Sequence, residues 1–321
     1  EKVDYVGLVL LCVGLGSLQI VLDKGQQEDW FNSTYIVVLA VVAGVSLVAL
    51  VFWELNVDQP IVDLRIFRDR SFATGNVVMF LAFFAFFGSI VLLPMYLQTL
   101  MGYTAVLAGI VLGPSGAIAL LMLPLVGKAT ERVDARYLLA IGLLINAYSV
   151  YYMSGFNLQI DFHTAALSRT IQGIGMPFIF VSCAYVTMVY VPREQMNNAS
   201  GIFNLLRNLG GSFGVAFVST VLARRAQFHQ CRLCEHLSPY HPGLTFNLDQ
   251  FKSYLGYNLG NLADQTELAR EVVYRQMQRE AAALSFNDAF YCQMVIFLAL
   301  VAIVWIIRKP PVGKRPMPGG H

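Results

Sequence analysis

Five residues of one apolar stretch, Ser200, Asn204, Arg207, Asn208 and Gly211, recur at spacings of three and four. That spacing gathers them on one face of a helix. A guanidinium in an apolar layer costs about 2.5–3.5 kcal/mol on membrane-insertion scales. Arg207 therefore faces a polar cavity or a partner, or it snorkels to the membrane edge; both readings stay open. Gly210 and Gly214 form a small-xxx-small pair beside it, where another backbone can approach. A second stretch reads Ser168-Arg169-Thr170-Ile171-Gln172-Gly173-Ile174-Gly175-Met176-Pro177. Arg169 and Gln172 stand one helical turn apart. Gly173, Gly175 and Pro177 loosen the helix, which lipid tolerates only where protein or water satisfies the freed backbone. A moving, cavity-lining element fits this pattern, and so does a kinked packing helix with Arg169 at the headgroups. These are recognition and gating chemistries; no nucleophile or paired acid stands among them.

Three further groups carry weaker signals. Gly109, Gly113 and Pro114 suit helices that pack closely and rock against each other. Phe80, Phe83, Phe84, Phe86 and Phe87 crowd one stretch, as pocket lining or as ordinary lipid-facing rings. His229, Cys231, Cys234, His236 and His241 cluster in a polar segment. A thiol and imidazole set of this kind is a weak metal candidate. Cys231 and Cys234 are at least as well suited to a disulfide if they face an oxidising compartment. No cofactor is expected. Walker A, G-x-G-x-x-G and H-E-x-x-H patterns do not occur, so ATP-driven transport is not encoded.

The elements that position these residues follow from composition. The chain is 56% hydrophobic and 13% charged, about half the charge of a soluble domain, for which roughly 25% is usual. A net charge of +2 gives no reason to expect nucleic acid. A hydrocarbon core needs about 20 apolar residues in a helix. Eight stretches meet that demand: Tyr5–Leu22, Ser33–Trp53, Phe72–Leu97, Ala105–Val126, Tyr137–Gly155, Ala165–Tyr190, Gly201–Leu222 and Phe286–Ile307. The expected class is an all-α polytopic membrane protein. No carboxylate lies deep in any span; Asp288, near one end, comes closest.

Lys and Arg of the short connections fall on one side: Arg65, Arg68 and Arg70, then Lys128, Arg132 and Arg136, then Arg193, then Arg308, Lys309, Lys314 and Arg315. Lys2 joins them, and the opposite short connections hold only Lys24. By the positive-inside rule both termini are cytoplasmic. The expected organisation is two helices (1–53), a charged linker (54–70), a six-helix bundle (71–308) with a long external loop (223–284), and a tail (309–321).

On these residues the chain resembles the C-terminal part of the EmrB/QacA-type fourteen-helix drug:proton antiporters of the major facilitator superfamily, on the EmrB branch. The resemblance rests on Leu-Gln-Ile-Val-Leu-Asp-Lys-Gly-Gln-Gln-Glu-Asp-Trp-Phe (18–31), Pro-Ile-Val-Asp-Leu-Arg-Ile-Phe (60–67), Ser-Arg-Thr-Ile-Gln-Gly-Ile-Gly (168–175) and Asn-Ala-Ser-Gly-Ile-Phe-Asn-Leu-Leu-Arg-Asn-Leu-Gly-Gly-Ser (198–212). It implies two inserted helices followed by the C-terminal bundle, with the N-terminal six helices absent from this chain. It also implies an inner-membrane exporter of amphipathic small molecules, a periplasmic adaptor and an outer-membrane channel as partners, and contact with lipids. Two alternatives stand beside it. One is a truncated or split gene product that does not transport alone. The other is a same-fold exporter of a metabolite, siderophore or lipid.

Overall fold

The computed structural model describes residues 4–57, 60–235 and 262–309. Among these the architecture is all helical, with eight long helices: α1 (Tyr5–Lys24), α2 (Thr34–Asn56), α3 (Arg70–Thr99), α4 (Ala105–Thr130), α5 (Ala135–Met153), α6 (Phe162–Met188), α7 (Met196–Glu235) and α8 (Leu262–Ile303). Their starts are written locally. The side chains of Asp4, Asp69, Thr104, Asp134 and Asp161 accept hydrogen bonds from the first free amides of α1, α3, α4, α5 and α6. Such a cap is worth about 1 kcal/mol.

Seven of these helices are long and apolar enough to cross a membrane. The exception is α5, which covers the expected span Tyr137–Gly155 but carries Arg136 and the fully buried Asn146 and Ser149. Its burial against α6 and α8, and not its hydropathy, holds it inside the bundle. The most enclosed helix is α3, which packs on α7, α8 and α6. By contrast α1 and α2 pair mainly with each other and expose Val38, Val41, Val45 and Val48, as lipid-facing helices do. Ser212 of α7 donates to Gln19 of α1 at 2.7 Å, one of the contacts between that pair and the bundle.

The charged linker packs on the bundle: its residues 64–68 form a short 3₁₀ turn whose Ile66 is buried with Phe72, Ala199 and Ile202. Asn198 of α7 clamps it, accepting from the Asp63 amide and donating to the Asp63 carbonyl, both at 3.0 Å. The external segment 223–284 is helical at both ends: α8 begins at Leu262, in a stretch (262–283) whose residues favour helix, and α7 runs on to Glu235, beyond the expected span end at Leu222. At 1.5 Å per residue each of these helices holds roughly 60 Å of length, about twice the hydrocarbon core.

Candidate functional site

The candidate site lies where α6 and α7 both pack on α3 but barely on each other. Close approach on either flank depends on missing side chains. A Cβ on Gly210 would stand 2.5 Å from the Phe80 carbonyl oxygen, and one on Gly214 2.8 Å from the Phe84 carbonyl carbon, so α7 can lie against α3. A Cβ on Gly173 would meet the Ser115 backbone of α4 at 2.8 Å. Gly175 lies against Asn146 of α5. These glycines and the buried Pro177 serve helix packing, and α6 stays continuous through Pro177. Gly109, Gly113 and Pro114 meet no neighbouring helix among the described residues. They sit on the exposed side of α4, and a Cβ on either glycine would meet nothing within 4 Å. A small-xxx-small spacing permits a neighbour to approach; in this chain α4 meets α6 through Ser115 instead.

Arg169 is only 6% exposed. Its Nη1 donates to Gln172 Oε1 one turn on, while its Nε has no partner. Gln172 Nε2 donates to Ser89 Oγ of α3 at 2.6 Å, and Ser89 Oγ donates to the Phe86 carbonyl at 2.8 Å. No carboxylate among the described residues pairs with Arg169. A buried guanidinium without a counter-charge is costly. The cluster thus presents positive charge inside the bundle.

Arg207, half exposed on α7, sits over the Phe180 ring of α6 at 5.9 Å. Phe180 in turn packs edge-on against Phe83 at 4.6 Å and Phe86 at 6.4 Å. The cation is held by aromatic faces, which joins the phenylalanine stretch to the polar stripe. Phe180, the ring beneath Arg207, lies three turns along α6 from Arg169, a rise of roughly 16 Å along that helix. Asn204 and Asn208 are exposed and do not join the cluster. Asn204 donates to the Ser200 carbonyl of its own helix at 2.9 Å.

Sequence reasoning did not single out Ser89, Asn146, Ser149, Ser168 or Gln293, all fully buried. Gln293 of α8 lies against Gly88 of α3, and neither of its side-chain polar atoms has a partner. A glutamine amid an otherwise apolar span was the available signal.

The cysteine–histidine cluster is divided. His229 Nε2 meets Asp288 Oδ2 at 2.5 Å, and Arg225 Nε donates to the same oxygen at 2.6 Å. Cys231 and Cys234 are both free, on one helix at i and i+3. Helical neighbours at that spacing hold their Cβ atoms about 5–6 Å apart, against about 3.5–4.5 Å for a disulfide. His236 and His241 lie outside the described residues. Among the described residues no three His, Cys, Asp or Glu converge on a metal position.

Comparison with known proteins places this arrangement. Residues 7–215 match the Major Facilitator Superfamily. The chain is 36% identical to the multidrug export protein EmrB of Haemophilus influenzae over 98% of this chain and 60% of that protein. It is 35% identical to EmrB of Escherichia coli over 100% and 61%, and 33% identical to the fatty acid resistance protein FarB of Neisseria gonorrhoeae over 99% and 61%. It therefore spans about 60% of the length of these relatives. Among solved structures, a bacterial homolog of the human lysosomal transporter Spinster, inward-facing and occupied, superposes with a TM-score of 0.54 at 16% identity, covering 94% of this chain and 64% of that one. That likeness concerns the fold alone. The chain belongs to the Major Facilitator Superfamily, in its EmrB-type family.

Proposed function

We propose that this chain is part of a bacterial inner-membrane secondary transporter that exports drugs or other toxic amphipathic compounds in exchange for protons. The observation that carries the reading is the pairing of a buried, acid-free Arg169–Gln172–Ser89 cluster with the partly exposed Phe180 ring beneath Arg207, backed by the buried Phe83 and Phe86. A polar cluster bordering an aromatic group suits a molecule with a charged head and a greasy body. The names of EmrB and FarB support the same class of cargo. Because the fixed charge is positive, cargo with an acidic head is favoured over cationic cargo. Arg169, Gln172 and Arg207 form the cavity or gate, with Asn204 and Asn208 at its rim. Proton coupling and the other wall of the pathway come from six further helices. The basic face, with both termini, is cytoplasmic. The outer ends of α7 and α8, with the segment between them, face a periplasmic adaptor that leads to an outer-membrane channel.

The test is Arg207→Ala in the full-length transporter. Drug resistance is lost while the amount of protein in the membrane is unchanged. Resistance equal to the wild type removes Arg207 from the cavity.

A further inference from the structure

A second basic site lies away from the Arg169 and Arg207 groups. Where α3 begins and α8 ends, Arg68, Arg70, Ser71, Thr74, Ile306 and Arg308 line a cavity of about 520 Å³. Three arginines and two hydroxyl-bearing residues border it. Asp69 also borders the cavity, yet its carboxylate accepts from the Ser71 and Phe72 amides at 2.7 and 3.1 Å as the cap of α3. Among the described residues no carboxylate pairs with Arg68, Arg70 or Arg308. Arg308 is held in place by the Tyr190 ring at 5.0 Å, and the Tyr190 hydroxyl donates to the Lys309 carbonyl at 2.8 Å.

The depth of the site follows from the helices. It is formed by the first residues of one span and the residues just after the last turn of another, which puts it at headgroup level. Beside the arginines, Trp305 and Ile306 are 48% and 61% exposed and present apolar surface outward. A phosphodiester held by the arginines would leave its acyl chains lying over these side chains. Basic pockets between helix ends on the cytoplasmic leaflet are suited to anionic headgroups, and guanidiniums match phosphate oxygens in charge and geometry.

We propose that this cavity binds the headgroup of an anionic phospholipid. The test uses the purified transporter, delipidated in neutral detergent and titrated with phosphatidylglycerol, phosphatidylcholine or glycerol phosphate, with bound lipid read by native mass spectrometry. Phosphatidylglycerol is retained in preference to phosphatidylcholine, and glycerol phosphate does not displace it at matched concentration. At about 1 kcal/mol per basic residue near the surface, each arginine contributes roughly five-fold. The triple change Arg68→Gln, Arg70→Gln and Arg308→Gln therefore weakens retention by on the order of a hundred-fold. Arg308→Gln alone, beyond the last helix, leaves folding untouched and weakens it roughly five-fold. Arg193→Gln removes the same charge from the same face outside the cavity and changes nothing. Equal retention of both lipids, or retention unmoved in the triple and single variants, overturns the proposal. So does glycerol phosphate competing as well as the lipid, which makes this a small-anion site.

Discussion

Replacing Arg169 by methionine separates a binding role from a structural one, because the two predict opposite stabilities. The side chain is 6% exposed and has one side-chain partner, Gln172. Removing the guanidinium relieves the cost of a charge in the apolar layer, about 2.5–3.5 kcal/mol. Against this, Gln172 Oε1 loses its donor inside the bundle, at about 1–3 kcal/mol. Methionine retains length and fills the same volume flexibly. The balance runs from about −0.5 to about 2.5 kcal/mol in favour of the variant, centred near 1 kcal/mol. Arg169→Met in the full-length transporter therefore melts near or above the wild-type temperature in detergent. Its export is damaged selectively. A charge-assisted hydrogen bond to cargo is worth about 1.5–3 kcal/mol, or about ten- to a hundred-fold in apparent affinity. Uptake into everted vesicles thus falls by that factor for acid-headed amphipaths and far less for neutral or cationic ones. A clear drop in melting temperature with equal loss for every cargo would show that Arg169 only holds α6 in place. Unchanged affinity for acidic cargo would refute the charge argument outright.

Two further outcomes follow from the helix packing and from the basic face. Gly214→Ala brings a Cβ to 2.8 Å from the Phe84 carbonyl carbon and destabilises the α3–α7 contact by about 1–3 kcal/mol, read as a lowered melting temperature. Gly113→Ala meets nothing within 4 Å and leaves melting unchanged or raises it by up to about 1 kcal/mol of helix propensity. Asp134 lies between α4 and α5. Burial alone raises its carboxyl pKa, but hydrogen bonds from the Arg136 guanidinium and amide outweigh this and hold it below the usual carboxylate value. A depressed acid stabilises the fold above its unfolded pKa of about 3.9 and stops doing so as pH falls through the folded value. The wild type is then more stable than Asp134→Asn by about 1–3 kcal/mol at neutral pH. Melting curves from pH 7 down to about pH 3 should show that gap closing at the acid end.

How legible this was depends on whether a feature is local. Long apolar runs give membrane helices directly, because the bilayer sets their length. The extension of α7 is harder to see. The residues after Leu222 turn polar (Ala223, Arg224, Arg225, Ala226, Gln227), yet all are good helix formers. Polarity there reports departure from lipid, not loss of helix. Arg169 and Gln172 were readable as neighbours because they are one turn apart on the same helix. Their partner Ser89 is 83 residues away on α3, and no local pattern announces it. The glycines divide the same way. Gly173, Gly210 and Gly214 have backbones pressed against them, whereas Gly109 and Gly113, with equally suggestive spacing, face open space. Spacing states what a helix face allows; which neighbour uses it is decided by the whole bundle.

The distribution of acids explains why both basic sites remain available. Asp4, Asp69, Asp134 and Asp161 direct their carboxylates to amides at helix starts. Glu54 accepts from the Val62 amide of the linker, and Asp288 is engaged by Arg225 and His229. Each of these acids does a local task at a helix end or junction, where water or backbone lowers the cost of its charge. None of these groups forms an ion pair with Arg169, Arg207, Arg68, Arg70 or Arg308. An internal ion pair would make the Arg169 charge cheaper to bury, and it would also neutralise the charge that attracts an anion. Leaving the arginine unpaired sacrifices stability at one position while the apolar spans hold the fold. In a static bundle that sacrifice has no return. Under the proposed export role, the unpaired arginine leaves the site free to bind and release an acidic cargo, which a site closed by its own carboxylate could not exchange.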